Sequence, residues 1–169
     1  MIDTRFPTAL QIMLSLALAE AEGVPSLSSA ELAASVGGHG TFVRKLLAPL
    51  IRDGLLISKK GKSGGMSLGR AADRITLRDI LVSVTEEKPL WSSRTDFPRR
   101  CIVTKGIGDY FDRLATNAEE AARATLQTCT LAQALDDLRA IVERDRSNGD
   151  ATPGDPESSS ATSHCADLR

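Results

Sequence analysis

The stretch that most limits what this chain can fold into runs from Ser58 to Leu68 and combines lysines with glycines. Apolar residues precede the loop at 54–57 and follow it at 66–68. Two short apolar runs joined by a glycine-bearing loop predict a β-hairpin. The loop carries three cations, Lys59, Lys60 and Lys62. The hairpin would therefore present positive charge to an anionic partner.

The loop contains Gly61-Lys62-Ser63, which is similar to the end of a phosphate-binding nucleotide loop. That motif requires another glycine five residues before Gly61, and Leu56 stands there. The loop also leads into a second apolar run, not into a helix whose N-terminus could face a phosphate. A nucleotide loop is therefore rejected. The remaining interpretation is a wing, a hairpin that touches the DNA backbone beside a recognition helix, provided that a suitable helix precedes it.

The residues before the hairpin predict two short helices separated by a tight turn. Ser28 and Glu31 have the spacing of a capping box, which starts a helix over 30–36. After two glycines, a second helix is predicted over 41–52. Its inner face comprises Phe42, Val43, Leu46, Leu47, Leu50 and Ile51, and its outer face comprises Thr41, Arg44, Lys45 and Ala48. This order is a helix-turn-helix followed by a basic hairpin, which is typical of a winged helix.

Charge is distributed unevenly along the chain. Residues 41–79 hold nine Lys and Arg against three Asp, a local charge of +6 in a protein whose net charge is −1. A basic region in an otherwise acidic protein favours a polyanionic partner, here double-stranded DNA. No signal peptide or membrane span is predicted, so a cytoplasmic location without membrane contact is expected.

The rest of the chain is predicted to be mainly helical. Helices are expected over 9–21, from Thr76 to about Val84, over about 106–126 and around 131–141. The long helix carries an apolar stripe that is a candidate dimer seam. The predicted organisation is a winged helix-turn-helix DNA-binding domain at 1–85, an irregular sensor or linker segment at 86–106, a dimerisation helix and C-terminal helix at 107–146, and a disordered tail at 147–169.

Several stretches resemble a known family. The wing 60–70 is similar to the family pattern Arg-Gly-x-x-Gly-Gly-Tyr-x-Leu-Ala-Arg, and 75–81 resembles the helix that follows it. The first helix from Arg5, the recognition helix 42–50 and Thr130-Leu131-Ala132 are also similar to family segments. The chain thus resembles the Rrf2 family of winged-helix repressors, which includes IscR, NsrR and CymR. The resemblance implies a homodimeric transcriptional repressor.

The cysteines depart from the cluster-binding branch of that family, whose members carry three closely spaced cysteines before the dimerisation helix. Here that segment holds Cys101 alone, Cys129 follows 28 residues later and Cys165 lies in the tail. One thiolate cannot hold an iron–sulfur cluster that takes four ligands. No cofactor is predicted, although a dimer that shares Cys101 and Cys129 stays an alternative. Cys101 follows two arginines that would lower its pKa, so it is either a thiol switch or inert.

The candidate DNA-binding residues lie on the predicted recognition helix and wing. They are Thr41, Arg44, Lys45, Lys59, Lys60, Lys62, Ser63 and Gly64. Arg44 would read a guanine edge or contact a phosphate, and Thr41 would cap the helix, contact a phosphate or do both. Lys60 stands where the family usually has an arginine that enters the minor groove. Because an ammonium is more strongly hydrated, Lys60 would be the poorer reader there.

The predicted function is that of a dimeric regulator without enzymatic activity, since His39 and His164 are isolated from any catalytic partner. Two-fold symmetry predicts a near-palindromic operator. Its signal would be oxidation of Cys101 or a small molecule bound by 86–106, in which Trp91 is otherwise a core or seam residue. The alternative outside transcription is a winged-helix protein–protein interaction module, which the local charge disfavours.

Overall fold

The computed structural model describes residues 3–59, 61, 64–86, 89, 91, 93 and 101–149. The predicted tail therefore lies outside the described residues from position 150 onward. The chain divides into two units, Met1–Leu135 and Asp136–Arg169. Its elements are α1 (Arg5–Ala21), α2 (Ser29–Ser35), α3 (Gly40–Arg52), β1 (Leu56–Lys59), β2 (Gly65–Leu68), a 3-10 helix (Ala72–Arg74), α4 (Leu77–Thr85), α5 (Ile102–Thr128) and α6 (Leu131–Gly149). The mainly helical fold with a small hairpin is confirmed.

The first unit has one hydrophobic core, to which α1, α3, α4 and the start of β1 contribute. Ile12 and Met13 of α1, Leu50 of α3 and Ile80 of α4 have no exposed surface. These apolar residues recur at three- and four-residue steps, so each helix turns one face towards the others. The helix α4 packs against α1.

Two capping boxes fix the starts of short helices. The Ser28 hydroxyl accepts the Glu31 N–H at 3.2 Å, and the Glu31 carboxylate accepts the Ser28 N–H at 2.6 Å. Thr76 and Asp79 repeat the arrangement at the start of α4, at 3.1 and 3.0 Å. Each box satisfies N–H groups that a helix start leaves without a partner. Because α2 has only seven residues, the capping box supplies a large share of the hydrogen bonds that define this helix.

The hairpin is antiparallel, and its register pairs Leu56 with Leu68 and Lys59 with Gly65. Its second strand also pairs with the chain between α1 and α2, where Leu27 and Met66 exchange N–H···O bonds of 3.0 and 2.6 Å. A Cβ on Gly65 would lie 2.8 Å from Ser26 Oγ and 2.9 Å from the Leu27 carbonyl oxygen. Glycine is therefore required where the wing meets this segment.

The far end of α5 is joined to the start of α4. The Leu77 N–H donates to the Cys129 carbonyl at 2.9 Å, and the Leu131 N–H donates to the Ile75 carbonyl at 2.8 Å. The chain between α5 and α6 thus pairs as a short antiparallel bridge with the chain leading into α4. This bridge fixes where α5 ends relative to the winged helix.

Three predicted boundaries were wrong. The helix α1 begins at Arg5, not at residue 9. The helix α5 begins at Ile102 and has 27 residues, so it is about 40 Å long and takes over the end of the segment expected to be irregular. The helix α6 continues to Gly149, whereas disorder was expected from residue 147.

Candidate nucleic-acid interface

The exposed face of α3 is the feature that the winged-helix prediction depends on. Val43, Leu46, Leu47 and Leu50 are buried in the core. The predicted outer residues Thr41, Arg44, Lys45 and Ala48 are all exposed, as expected. Ile51 is 36% exposed, so its assignment to the inner face was wrong. It follows Arg44 by seven residues, nearly two full turns, so it falls on the same outer side of α3.

The N-terminus of α3 is capped by backbone, not by the side chain expected. His39 is the N-cap residue, and its carbonyl accepts the N–H groups of Phe42 at 2.8 Å and Val43 at 3.1 Å. Thr41 lies inside the helix, and no side chain caps it. The capping role predicted for Thr41 was therefore wrong. Its exposed side chain stays a candidate for a phosphate contact.

The wing residues are described in part. Lys59 is exposed at the end of β1. Gly64 is half-buried, and its N–H donates to the Gly61 carbonyl at 2.9 Å, which closes the turn. Gly61 has a φ of 122°, a conformation that favours glycine. Lys60, Lys62 and Ser63 lie outside the described residues, so their predicted DNA contacts stay predictions.

Two arginines that were not among the predicted site residues stabilise the end of α3. The Arg52 guanidinium donates to both carboxylate oxygens of Asp53, at 2.8 and 3.2 Å. Arg70, just beyond the wing, donates to the Asp53 carbonyl at 2.9 Å. The hydrogen bond from Arg52 lowers the pKa of the Asp53 carboxyl. The recognition helix and the end of the hairpin are thus tied at one point.

Cys101 is the N-cap of α5 and is exposed. The backbone N–H and the hydroxyl of Thr104 lower the pKa of its thiol, and that hydroxyl lies 3.5 Å from Sγ. A helix N-terminus stabilises a thiolate because its free N–H groups face the sulfur. The expected contribution of Arg99 and Arg100 concerns residues outside the described part of the chain.

Trp91 and Glu119 form a contact that the sequence did not indicate. The Trp91 side chain is 48% exposed, so the expected core position is wrong for the single chain. Its backbone N–H donates to Glu119 at 3.2 Å, and Arg123 pairs with the same carboxylate at 3.4 Å. Glu119 is buried on α5. It holds the Trp91 backbone against the middle of that helix.

The described thiols do not fit a single iron–sulfur cluster within one chain. Cys101 and Cys129 cap opposite ends of α5, roughly 40 Å apart at 1.5 Å per residue. Within the described ranges, no three His, Cys, Asp or Glu side chains are grouped as metal ligands. None of the helices described there is long and apolar enough to span a membrane.

The geometry of α3 beside the hairpin defines a winged helix-turn-helix protein, a class that binds DNA through the second helix of the motif. The sequence model of the Rrf2 family, described as iron-dependent transcriptional regulators, matches residues 2–137. The chain belongs to the Rrf2 family, as the resemblance of its wing and following helix predicted.

Comparison with individual proteins agrees with this assignment. The chain is 44% identical over 57 residues to protein aau3 of Rhizobium meliloti and 36% identical over 80 residues to the HTH-type transcriptional regulator CymR of Bacillus subtilis. These matches cover 34% and 47% of the chain and only 36% and 56% of the two relatives. The oxidised form of Staphylococcus aureus CymR superposes with a TM-score of 0.59 at 25% identity, over 80% of this chain and 95% of that one.

Proposed function

We propose that the protein is a cytoplasmic, homodimeric repressor that binds a near-palindromic DNA operator and has no enzymatic activity. The observation that carries the proposal is the exposed face of α3, where Thr41, Arg44 and Lys45 lie opposite the core and follow the helix-turn-helix order. In this class the early residues of the second helix meet base edges in the major groove. The charge of +6 over residues 41–79 supports an anionic partner.

In this proposal the contacts with DNA have two roles, reading a base and positioning the protein on phosphates. Arg44 reads a guanine edge, a contact worth about 1–3 kcal/mol if bidentate. Thr41, Lys45 and the wing residues Lys59, Lys60, Lys62, Ser63 and Gly64 position the protein on phosphates. With about eight phosphates contacted by a dimer, binding would fall with salt at a log–log slope of about −7.

The dimer is supported by the exposed side of α5. Ile107, Tyr110 and Leu114 recur there at three- and four-residue steps, and each is at least 40% exposed in the single chain. An apolar stripe of this kind on a 27-residue helix is typical of a helix that pairs with another. A second copy of α5 would cover it.

The test compares operator DNA with random DNA of equal length. Arg44→Ala is expected to weaken operator binding about 5- to 150-fold but random-DNA binding far less, because only base reading is lost. Lys59→Ala is expected to weaken both alike, because a phosphate carries no sequence information. Arg139→Ala on α6 is the control that should change neither. Equal losses for Arg44→Ala on both DNAs would remove its reading role.

A second candidate property is a thiol switch at Cys101, supported by its exposure and lowered pKa. A solved relative, Staphylococcus aureus CymR, has an oxidised form. If Cys101 senses peroxide, its thiolate attacks the peroxide oxygen and becomes a sulfenic acid as water or hydroxide leaves. Peroxide should then change operator affinity in the native protein and not in Cys101→Ser. An unchanged affinity in the native protein would exclude the switch.

A further inference from the structure

A groove runs along one flank of α3, between the first turn of α1 and the end of α4. It encloses about 480 Å³, which lies within the range of about 300–1,000 Å³ common for small-molecule sites. The groove is separate from the α5 stripe. It touches the exposed face of α3 only at its edge, through Lys45 and Ala48.

The floor of the groove is apolar. Phe42, Leu46 and Val84 line it, and Phe42 is the most accessible of the three. These side chains belong to two helices that pack against each other, so the floor is held in place by the core. The apolar part of a ligand that lies on this floor would be removed from water, which is favourable.

The rim of the groove is mostly cationic. Lys45 is exposed and makes no hydrogen bond or ion pair with any described residue. Arg52 uses Nε and Nη2 on Asp53, which leaves Nη1 for another acceptor. The two residues are two turns apart on α3, roughly 10 Å along its axis, so both long side chains can reach an anion between them. Arg5, the third cation, is engaged with Asp3 and the Val84 carbonyl.

One carboxylate, that of Glu86, also lines the groove. Glu86 has a φ of 53°, in the left-handed region that a residue with a Cβ seldom adopts. Glu86 is the C-cap residue of α4, and a left-handed residue is common at the C-terminus of a helix. The Glu86 carboxylate lies close enough to attract Arg5 and Arg52. It therefore offsets part of the positive charge of the rim, so the lining suits an occupant with a single negative charge and an apolar body.

We propose that this groove binds a small organic monoacid, with its carboxylate at Lys45 and Arg52 and its apolar body on Phe42 and Leu46. The regulatory consequence rests on the proposed function. Because Lys45 is also a candidate DNA contact, a bound acid takes a cation away from the phosphates. The acid therefore weakens DNA binding and acts as an inducer.

The test uses 4-phenylbutyrate and its neutral counterpart 4-phenylbutan-1-ol, titrated into the full chain without DNA by calorimetry. The acid is expected to bind at least tenfold more tightly than the alcohol. Arg52→Gln keeps the length of the side chain and should weaken acid binding at least fivefold. Arg139→Gln is the matched control, since Arg139 also pairs with an aspartate but does not line the groove. Circular dichroism checks that both variants fold.

Three results would overturn the proposal: no binding of the acid, equal binding of acid and alcohol, or acid binding unchanged by Arg52→Gln. If the acid does not bind while Arg52→Gln weakens DNA binding, the groove belongs to the DNA backbone. If instead Arg52→Gln dissociates the dimer, a second copy occupies the groove. A protein that binds the acid but no DNA would refute the proposed function and leave the acid site standing.

Discussion

The winged helix and the helix α5 meet the same requirement, burial of apolar surface, in different ways. The winged helix buries its large side chains within one chain, as Leu50 and Ile80 show. The helix α5 leaves Ile102 87% exposed and Tyr110 59% exposed. The first region therefore buries its core within a single chain, whereas the second leaves an apolar stripe that the proposed dimer would cover.

The difference also appears in the hydrogen bonds that define each region. The winged helix has two capping boxes, the Leu27–Met66 pairing and the Arg70–Asp53 bond between distant parts of the sequence. On α5, the described contacts to the preceding segment include the Glu119 carboxylate with the Trp91 N–H. Substitutions should therefore destabilise the fold in the first region and change association in the second.

The largest effect on stability is expected from Leu50→Ala. Leu50 is fully buried in the last turn of α3, so its truncation removes buried methyl groups and leaves a cavity. The cost should be about 2–5 kcal/mol of unfolding free energy, measured by urea denaturation. Ile51→Ala is the control on the next residue, which is 36% exposed and should cost clearly less. Equal losses would contradict the burial pattern of α3.

Leu114→Glu should separate association from folding. Leu114 is 53% exposed on the stripe of α5, so a glutamate is tolerated in the monomer but not when a partner covers it. The dimer should weaken at least tenfold, or about 1.4 kcal/mol, in sedimentation equilibrium. Thr116→Glu, on the opposite side of α5, should leave the dimer intact. A dimer indifferent to Leu114→Glu would place the interface elsewhere.

Gly65→Ala should loosen the wing. The added methyl group would press on Ser26 and on the Leu27 carbonyl, so the strand or the segment must move at a cost of about 1–3 kcal/mol. Thermal unfolding measures the loss. Gly106→Ala in α5 is a control of opposite sign, because nothing lies within 4 Å of the added atom and alanine favours a helix by up to about 1 kcal/mol.

Ser28→Ala should have the smallest effect, about 1 kcal/mol, through loss of the cap of α2. The bond from Ser28 lowers the pKa of Glu31. A lowered folded pKa means that this stabilisation is present above the ordinary pKa of a glutamate and is lost as pH falls through the folded value. The difference between native protein and Ser28→Ala should thus shrink in acid. Ser29→Ala should show no such pH dependence.

The sequence was sufficient for the parts of the fold that local chemistry determines. The box at Ser28 and the apolar spacing of α3 located the helix-turn-helix, and the glycine-rich loop located the wing. The start of α5 could not be predicted, because Cys101 is an unusual N-cap and its partner Thr104 is not a typical capping residue. Contacts between distant residues also escaped prediction. The sequence gives no sign that Glu119 is buried and accepts the Trp91 N–H, and the groove beside α3 exists only where three helices meet.

The bridge that joins the end of α5 to the start of α4 has a mechanical consequence. It holds the Cys129 end of α5, which is thus a pivot for any tilt of the helix, and the Cys101 end lies about 40 Å away. A tilt of only about 5° about that pivot would carry Cys101 through roughly 3.5 Å, since displacement grows with the length of the arm. A chemical change at Cys101 that tilts α5 would therefore be transmitted to the chain leading into α4.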